Sequence, residues 1–430
     1  METQTAKASA LLPILFFIAI FVGVGSYFTS QGVDFAFYQL PAHIAILPAI
    51  LLAVLMSSKK SNETISTFIK GAGHSNIITM CLIYLLAGAF SVIAKSTGGV
   101  NAVVDLGLAI IPSWFLLPGI FIISALIATA MGTSMGTIAA VAPVAFGIGE
   151  TAQIDGAVMA GAVFSGAIFG DNLSIISDTT IAATRTQGCR MKDKFAQNIK
   201  ISLPAALITI VLLTWFNNPG EMTNSMPENP LLALPYLVIL VLAVSGVNVF
   251  AVLTAGILLA GISGLITGEH SLLTLSKNIG EGFVSMQEIF ILSLLIGGLS
   301  EITRAEGGLI AIQKSIGKLI AKAKNSHVAA QFGISMTTAL TNIGVANNTV
   351  AILITGDLNR EMAQKHGIKA AKAASLVDIA ACIVQGLIPW GAQALLLGSL
   401  FALNPVSVVT TSIYPVALTF TAGIAMLLKK

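Results

Sequence analysis

The amino-acid sequence predicts an all-α polytopic membrane protein with about ten transmembrane helices and two re-entrant hairpins. Of its 430 residues, 55% are hydrophobic and 10% are charged, and the mean hydropathy is +0.90. A soluble chain averages about 25% charged residues, so the missing charge indicates contact with lipid. A series of apolar runs and an internal repeat are the two other observations. The net charge of +3 is too small to indicate a nucleic-acid partner, and the three cysteines lack the spacing of a disulfide framework or a zinc site.

Ten apolar runs approach the length of about 20 residues that a helix needs to cross a bilayer. They cover residues 10–28, 40–57, 75–95, 155–184, 200–216, 231–246, 248–266, 287–303, 374–398 and 406–428. The first run is interpreted as a helix rather than a secretory signal, because no A-x-A-like cleavage site follows it. Two further stretches, 113–149 and 326–355, do not have the pattern of simple spans.

Basic residues predict the orientation, because cytoplasmic loops carry an excess of Lys and Arg. Lys59 follows the second run, so the N-terminus is predicted to be cytoplasmic. The basic loops around Lys194 and Lys365 both favour the cytoplasm, which requires 326–355 to enter and leave on one side. The same course is predicted for 113–149. The C-terminus is then cytoplasmic as well, and the expected location is the inner membrane of a bacterium.

An internal repeat relates the two halves of the chain. Ser91–Val100 aligns with Ser300–Leu309 at an offset of 300 − 91 = 209, and Gly132–Thr137 aligns with Gly344–Thr349 at an offset of 349 − 137 = 212. The charge pattern gives the two copies opposite orientations, the inverted-repeat arrangement of many secondary transporters. The predicted units are the N-terminal transmembrane helices 1–74, the first repeat 75–216, connecting helices 217–286 and the inverted second repeat 287–430.

Four segments within apolar stretches gather Gly, Pro and hydrogen-bonding side chains. They are Gly132–Thr137, Gly170–Thr180, Asn342–Thr349 and Gln385–Gln393. Backbone that leaves a helix inside a bilayer must be covered by protein or line a wet cavity. Interrupted segments at matching positions of two halves predict a transporter's central site.

The richest segment carries two acids, Asp171 and Asp178, which lie seven residues apart and could face one cavity. A buried carboxylate is costly unless it meets a cation or takes a proton. Ser174, Ser177 and Thr179 add hard oxygen ligands. These five residues form the predicted ion or proton site, with Asp171 and Asp178 as the Na⁺ ligands. The alternative is that both acids cap short helices.

The other segments predict a substrate site or a second ion site. Its candidate residues are Thr133, Ser134, Thr137, Asn342, Asn347, Asn348, Thr349, Gln385 and Gln393. The alternative for the hairpin residues is packing between helices at small-residue contacts. Asp378 is a third acid on an apolar helix and is assigned to the ion site. Its alternative role is a pair with a snorkelling lysine such as Lys372.

An enzyme is not indicated. Gly132–Gly136 matches G-x-S-x-G, but that motif needs a strand-to-helix turn with His and acid partners, and here it interrupts an apolar helix. The chain has no H-E-x-x-H and no P-loop, so zinc proteolysis and ATP-driven pumping are not indicated either. No cofactor is expected beyond transported Na⁺ and H⁺.

The segment Phe169–Thr180, FGDNLSIISDTT, resembles the NhaC family of sodium/proton antiporters within the ion transporter superfamily, whose motif reads approximately F-G-D-K-x-S-P-L-S-D-T-T. The resemblance implies a sodium-coupled secondary transporter with two moving hairpin units. It also gives Asp171, Ser174, Ser177, Asp178 and Thr179 the candidate ion-site role. Asn172 replaces the family's lysine, and Ile175 and Ile176 replace its Pro-Leu pair.

A lost lysine would remove an internal counter-ion of the aspartates, which weakens the assignment to antiport. The leading expectation is exchange of Na⁺ for H⁺ by alternating access. The alternative is Na⁺-coupled symport of an amino acid or small carboxylate, whose anionic group would meet helix N-termini. A channel is disfavoured by the inverted repeat. The expected partners are Na⁺, H⁺, the lipid bilayer and, under the alternative, a small organic solute; a homodimer is compatible with the sequence.

Overall fold

The protein is helical throughout the part of the chain that the structure describes. The computed structural model describes residues 6–33, 39–110, 112–175, 177–220, 230–321 and 326–428, and these ranges contain no strand. The helices of the first half are α1 Leu12–Ser30, α2 Ala42–Ala45, α3 Leu47–Met56, α4 Ser61–Ala72, α5 Ser75–Ser96, α6 Gly99–Ile110, α7 Leu116–Met131, α8 Ser134–Thr151, α9 Gly156–Leu173, α10 Asp178–Gln187 and α11 Met191–Phe216. Those of the second half are α12 Leu234–Val244, α13 Val249–Thr267, α14 Leu272–Ser285, α15 Gln287–Ala305, α16 Gly308–Ala321, α17 Ser326–Val345, α18 Asn348–Lys365, α19 Ala370–Gln385, α20 Ala392–Phe401, α21 Pro405–Thr410 and α22 Ile413–Leu427. Short 3₁₀ turns at Ala8–Leu11, Ser113–Phe115 and Pro230–Ala233 complete the described elements.

The order of the helices agrees with an internal repeat, but it pairs Gly132 with Ala346 rather than with Gly344, the partner that the sequence alignment predicted. Helices α18, α19, α20 and α21 begin 214 residues after α8, α9, α10 and α11, as in 348 − 134 = 214. The same offset separates Gly132 from Ala346, and both residues have left-handed backbone, at φ of 71° and 53°. A side chain makes that conformation costly, so Ala346 keeps a strained turn that glycine adopts freely in the first copy. The opposite orientation of the two copies stays a prediction.

Fewer than ten of the described helices are long and apolar enough to cross a membrane. Six described helical segments have the length and apolarity to cross a membrane, and α14 with α15 makes a seventh if this pair, bent by 41°, is one span. The count of ten is therefore not confirmed. The predicted runs 40–57, 231–246 and 406–428 form shorter apolar helices, and 374–398 is divided between α19 and α20.

The reduced count has two local causes. The run 406–428 is interrupted at Thr411 and Ser412, between α21 and α22, and the polar break in 374–398 divides another long run into two helices. The structure also contains four amphipathic helices that hydropathy did not reveal: α4, α6, α14 and α16. Each has 12 to 14 residues, which is too short to cross a bilayer by itself.

All four predicted breaks are present. The chain leaves the helix between α7 and α8, α9 and α10, α17 and α18, and α19 and α20. The pairs α7–α8 and α17–α18 pack against each other as helical hairpins. Their re-entrant course stays a prediction, because the first arm, Ser113–Met131, is itself long enough to cross a membrane.

Helix α9 lies unusually close to α7, and this contact places the first break. A Cβ atom at Gly166 would lie 2.3 Å from the carbonyl oxygen of Phe121, and one at Gly170 would lie 2.5 Å from that of Ala125. Only glycine permits this approach of the two backbones, as at small-residue contacts of membrane helices. The last turn of α9 is thereby held against the first hairpin.

Candidate functional site

The four helix breaks meet around one central cavity of about 90 Å³. Its lining includes nine residues that the sequence assigned to the two sites: Thr133, Ser134, Asp171, Asp178, Thr179, Asn347, Asn348, Thr349 and Gln393. The other lining residues are Asn76, Thr79, Met80, Ile83, Gly132 and Met135. A volume of this size holds an ion with some of its water. The ion site and the second site predicted from the sequence are thus two walls of the same space.

Asp171 lies on the wall contributed by the first broken helix. Its side chain is nearly buried, with 5% of the residue exposed. Ser134 at the start of α8 donates a hydrogen bond of 2.9 Å to Oδ2, and Thr179 Oγ1 lies 3.4 Å from Oδ1. Asp171 belongs to the last turn of α9 and caps no helix, so the capping alternative does not apply to it.

Asp178 lies on the same wall but is exposed to the cavity. It is the first residue of α10, while Ser177 is the N-cap and accepts a hydrogen bond from the Thr180 amide. The proposed capping role therefore belongs to Ser177. A carboxylate in the first turn of a helix is favoured by the positive end of the helix dipole, so Asp178 also stabilises the start of α10.

A chain of hydrogen bonds connects the first hairpin to the second broken helix across the cavity. Gln393 Nε2 donates to Ser134 Oγ at 3.1 Å, and Gln385 Nε2 donates to Gln393 Oε1 at 2.6 Å. Ser134 donates in turn to Asp171. Both repeats thus position the same carboxylate.

The tip of the second hairpin forms another wall. Asn347 is the N-cap of α18 and accepts from the Val350 amide at 3.0 Å. Asn348 and Thr349 follow in the first turn of that helix. Helices α8, α10, α18 and α20 therefore all direct their N-terminal turns at the cavity, and the caps of α8 and α20, Thr133 and Gly391, make no side-chain capping bond.

Several predicted site residues lie away from the cavity lining and have structural partners. Thr137 donates to the Thr133 carbonyl, and Asn342 donates to the Ala381 carbonyl at 2.9 Å, joining the second hairpin to α19. The Asn342 contact agrees with the packing alternative, whereas the Thr137 bond lies within the first turn of α8. Ser174 donates to the Thr129 carbonyl at 2.9 Å, which fixes the chain as it leaves α9. Ile176, one of the two departures from the family's Pro-Leu pair, lies outside the described residues.

Asp378 has a partner that the sequence analysis missed. Its Oδ2 lies 2.7 Å from Nζ of Lys194, and both side chains are almost completely buried. The suggested pair with Lys372 is therefore wrong. Lys194 lies on α11, 184 residues away from Asp378 in sequence, and its place in a basic segment indicated a cytoplasmic loop. The sequence around Lys194 gave no signal of its burial, because Asn198 and Ser202, which follow it on the same face of α11, are polar as well.

Asn172 takes part in the same cluster behind Asp171. Its Nδ2 donates to Asp378 Oδ2 at 2.9 Å, and Asn198 Nδ2 donates to the same oxygen at 2.8 Å. Ser202 donates to Asn172 Oδ1. The cluster therefore contains a lysine although residue 172 is an asparagine, because α11 supplies Lys194.

A larger cavity of about 530 Å³ lies between α2, α15 and α20. Its polar groups include His43 and Glu288, whose side chains approach to 3.9 Å, and its walls are mostly apolar. None of the predicted ion-site residues lines it. The smaller cavity is the better candidate, because it contains two carboxylates and the four helix breaks.

Comparison with known proteins gives one family match along nearly the whole chain. The family model described as the Na⁺/H⁺ antiporter family matches residues 2–217 and 222–429. The Na⁺/H⁺ antiporter NhaC of Bacillus subtilis strain 168 is 24% identical over 365 residues, which cover 76% of this chain and 78% of that protein. NhaC of Alkalihalophilus pseudofirmus OF4 is 23% identical over 404 residues, covering 85% and 84%.

A third relative is named for the transport of organic acids together with H⁺ and Na⁺. The malate-2H⁺/Na⁺-lactate antiporter of Bacillus subtilis is 30% identical over 207 residues, which cover 47% of this chain and 43% of that protein. Among solved structures, the YdaH transporter of Alcanivorax borkumensis aligns over 98% of both chains at 14% identity and a TM-score of 0.41. MtrF of Neisseria gonorrhoeae aligns over 98% of this chain and 95% of its own at 13% identity and a TM-score of 0.38. Scores this low do not establish a shared fold.

Proposed function

This chain belongs to the Na⁺/H⁺ antiporter family, and from that premise we propose that it exchanges Na⁺ for H⁺ across the inner membrane of a bacterium. It is an integral membrane protein and a secondary transporter. The exchange would take place at the central cavity, which opens to one side of the membrane at a time. The transported species are Na⁺ and H⁺, and the protein's own residues supply the binding groups.

The observation that carries the proposal is the position of Asp171 at the junction of both repeats. Its carboxylate lies at the cavity, accepts hydrogen bonds from Ser134 at 2.9 Å and from Thr179 at 3.4 Å, and is nearly buried. A carboxylate in such a place is stabilised either by a proton or by a cation. Competition of the two for one group is sufficient for exchange, because only the neutralised site would pass through the membrane at low cost.

The remaining ligands for Na⁺ would come from cavity residues with oxygen atoms. Asp178 and Thr179 lie on the same wall, and Asn348 and Thr349 lie on the wall of the second hairpin. Carboxylate, hydroxyl and amide oxygens are the ligands that hard cations prefer. Because these residues lie at helix breaks of both repeats, a relative movement of the hairpins would assemble or separate the ligand set.

Ion flux into proteoliposomes tests the proposal. Vesicles with a trapped pH indicator receive an outward Na⁺ gradient, with an equal choline gradient as the control, and no organic solute is present. We expect internal acidification as Na⁺ leaves and H⁺ enters, and none with choline. A Na⁺ gradient that moves no protons in protein-containing vesicles would refute exchange.

A second candidate is transport of a small carboxylate together with Na⁺ or H⁺. The observation that favours it is the set of four helix N-termini at the cavity, of which those of α8 and α20 have no side-chain cap. Free amide groups at helix N-termini bind anions. The relative named for malate and lactate has the same chemistry of cargo. In the vesicle experiment, flux that strictly requires added malate or lactate would support this candidate over simple exchange.

A further inference from the structure

The ammonium group of Lys194 is enclosed by oxygen atoms. Its Nζ lies 2.7 Å from Asp378 Oδ2, 2.7 Å from Thr180 Oγ1 and 2.9 Å from the carbonyl oxygen of Asn172. Only 1% of the lysine side chain is exposed. Lysine is almost never buried to this extent without a charged partner.

These three oxygen atoms form the kind of ligand set that binds an alkali cation. One is a carboxylate, one is a hydroxyl, and one is a carbonyl in the last turn of α9, where the helix no longer provides amide donors. Hard cations take carboxylate, hydroxyl and carbonyl oxygens. The set lies directly behind Asp171, since Asn172 is its neighbour in the chain.

A second observation also indicates capacity for a cation. Asp378 Oδ1 is buried and has no hydrogen-bond partner among the described residues, whereas Oδ2 receives donors from Lys194, Asn172 and Asn198. The carboxylate thus has an unused oxygen beside the ammonium group. Without the lysine, this buried acid would lack its compensating charge.

We propose that the oxygen cluster around Lys194 is a second cation site, which the tethered ammonium group keeps permanently filled. The site takes Na⁺ or a small ammonium ion when the lysine side chain is removed. In the natural chain, exchangeable cations bind at the central cavity alone, and Lys194 fixes the charge of the region behind it. This extends the proposed Na⁺ exchange by limiting how many cations move in each cycle.

Thermal unfolding of Lys194→Ala in detergent tests the proposal. The variant is measured in NaCl, methylammonium chloride and choline chloride at equal ionic strength. We expect Na⁺ and methylammonium to raise its Tm above the choline value by at least ~2 °C more than they raise that of the natural chain. Lys192→Ala, an exposed lysine on the same helix, is the matched control and should respond as the natural chain does.

The double variant Lys194→Ala with Asp378→Asn removes the carboxylate from the emptied site. It should lose the additional response to Na⁺ and methylammonium. A folded Lys194→Ala variant with the same salt response as the natural chain would overturn the proposal. Failure of Lys194→Ala to fold in every salt would overturn it too, because no cation would then replace the ammonium group.

The same experiment separates this inference from the proposed function. An Asp171→Asn background disables the central site, so Asp171→Asn alone should show no response to Na⁺, while adding Lys194→Ala should restore one. If Na⁺ raised the Tm of the Lys194→Ala variant but not that of the natural chain, the result would contradict Na⁺ binding at the central cavity and support the tethered site. The reverse result would contradict the tethered site alone.

Discussion

Replacement of Asp171 by Asn is the most direct perturbation of the central cavity. The amide has nearly the same size as the carboxylate and its oxygen can still accept the hydrogen bond from Ser134. The charge and the ability to take a proton are lost. Because the packing against α7 depends on Gly166 and Gly170 rather than on this side chain, the variant should fold.

The expected loss follows from the charge interaction with a bound cation. Two unit charges about 4 Å apart attract by about 4 kcal/mol at an effective dielectric constant of about 20. Each 1.4 kcal/mol corresponds to a factor of about ten in affinity, so complete loss would weaken Na⁺ binding roughly a thousandfold. Water in a cavity of about 90 Å³ screens part of the attraction. We therefore expect the apparent Na⁺ affinity to fall by between about tenfold and about a thousandfold.

The assay is Na⁺-driven proton flux in proteoliposomes, measured against Na⁺ concentration and normalised to the amount of reconstituted protein. Asp357→Asn is the matched control, because it makes the same change at an exposed carboxylate on α18 away from the cavity lining. That control should transport as the natural chain does. Normal Na⁺ dependence in a folded Asp171→Asn variant would refute the assignment of this carboxylate as the exchange group.

Three other predictions concern the same site, its support and the topology. Asp178→Asn should reduce the apparent Na⁺ affinity by about tenfold, which is less than the loss expected for Asp171→Asn, because Asp178 is exposed to the cavity and water screens its charge more strongly. Equal losses for the two variants in the flux assay would contradict this ranking. Gly170→Ala should lower the free energy of unfolding by about 1–3 kcal/mol, because its Cβ would overlap the α7 backbone; Gly423→Ala, inside α22, meets no neighbouring atom within 4 Å and should not lower Tm, because alanine favours a helix more than glycine does. Single cysteines that replace Lys192 and Lys365, both exposed, should react with a membrane-impermeant reagent only in permeabilised cells. Labelling of either position in intact cells would contradict the predicted orientation.

Composition and the positions of polar residues were enough to predict the class of the protein and the location of the helix breaks. A chain with 10% charged residues cannot cover a water-exposed surface, and polar backbone cannot leave a helix in lipid without protein or water around it. Gly132–Thr137 and its three counterparts therefore had to be interruptions at a protected site. The motif Phe169–Thr180 then indicated the family, which the match along the chain confirmed.

The number and lengths of the helices were harder to predict from the sequence. Hydropathy reports an average over a window, so it identifies helices that are apolar on all sides. Amphipathic helices such as α4 and α14 bury only one face, and their polar face lowers the average. Short apolar helices such as α12 produce runs of nearly spanning length when the flanking turns are apolar too.

The partners of the charged residues depend on the packing of the helices in three dimensions. Asp171 and Asp178 are seven residues apart in one motif, yet one is nearly buried against Ser134 and the other is exposed to the cavity. Asp378 pairs with Lys194 across 184 residues rather than with the nearby Lys372. Charge attraction depends on distance in space, and distance in space is set by how α9, α11 and α19 pack, which the spacing of residues along one chain does not reveal.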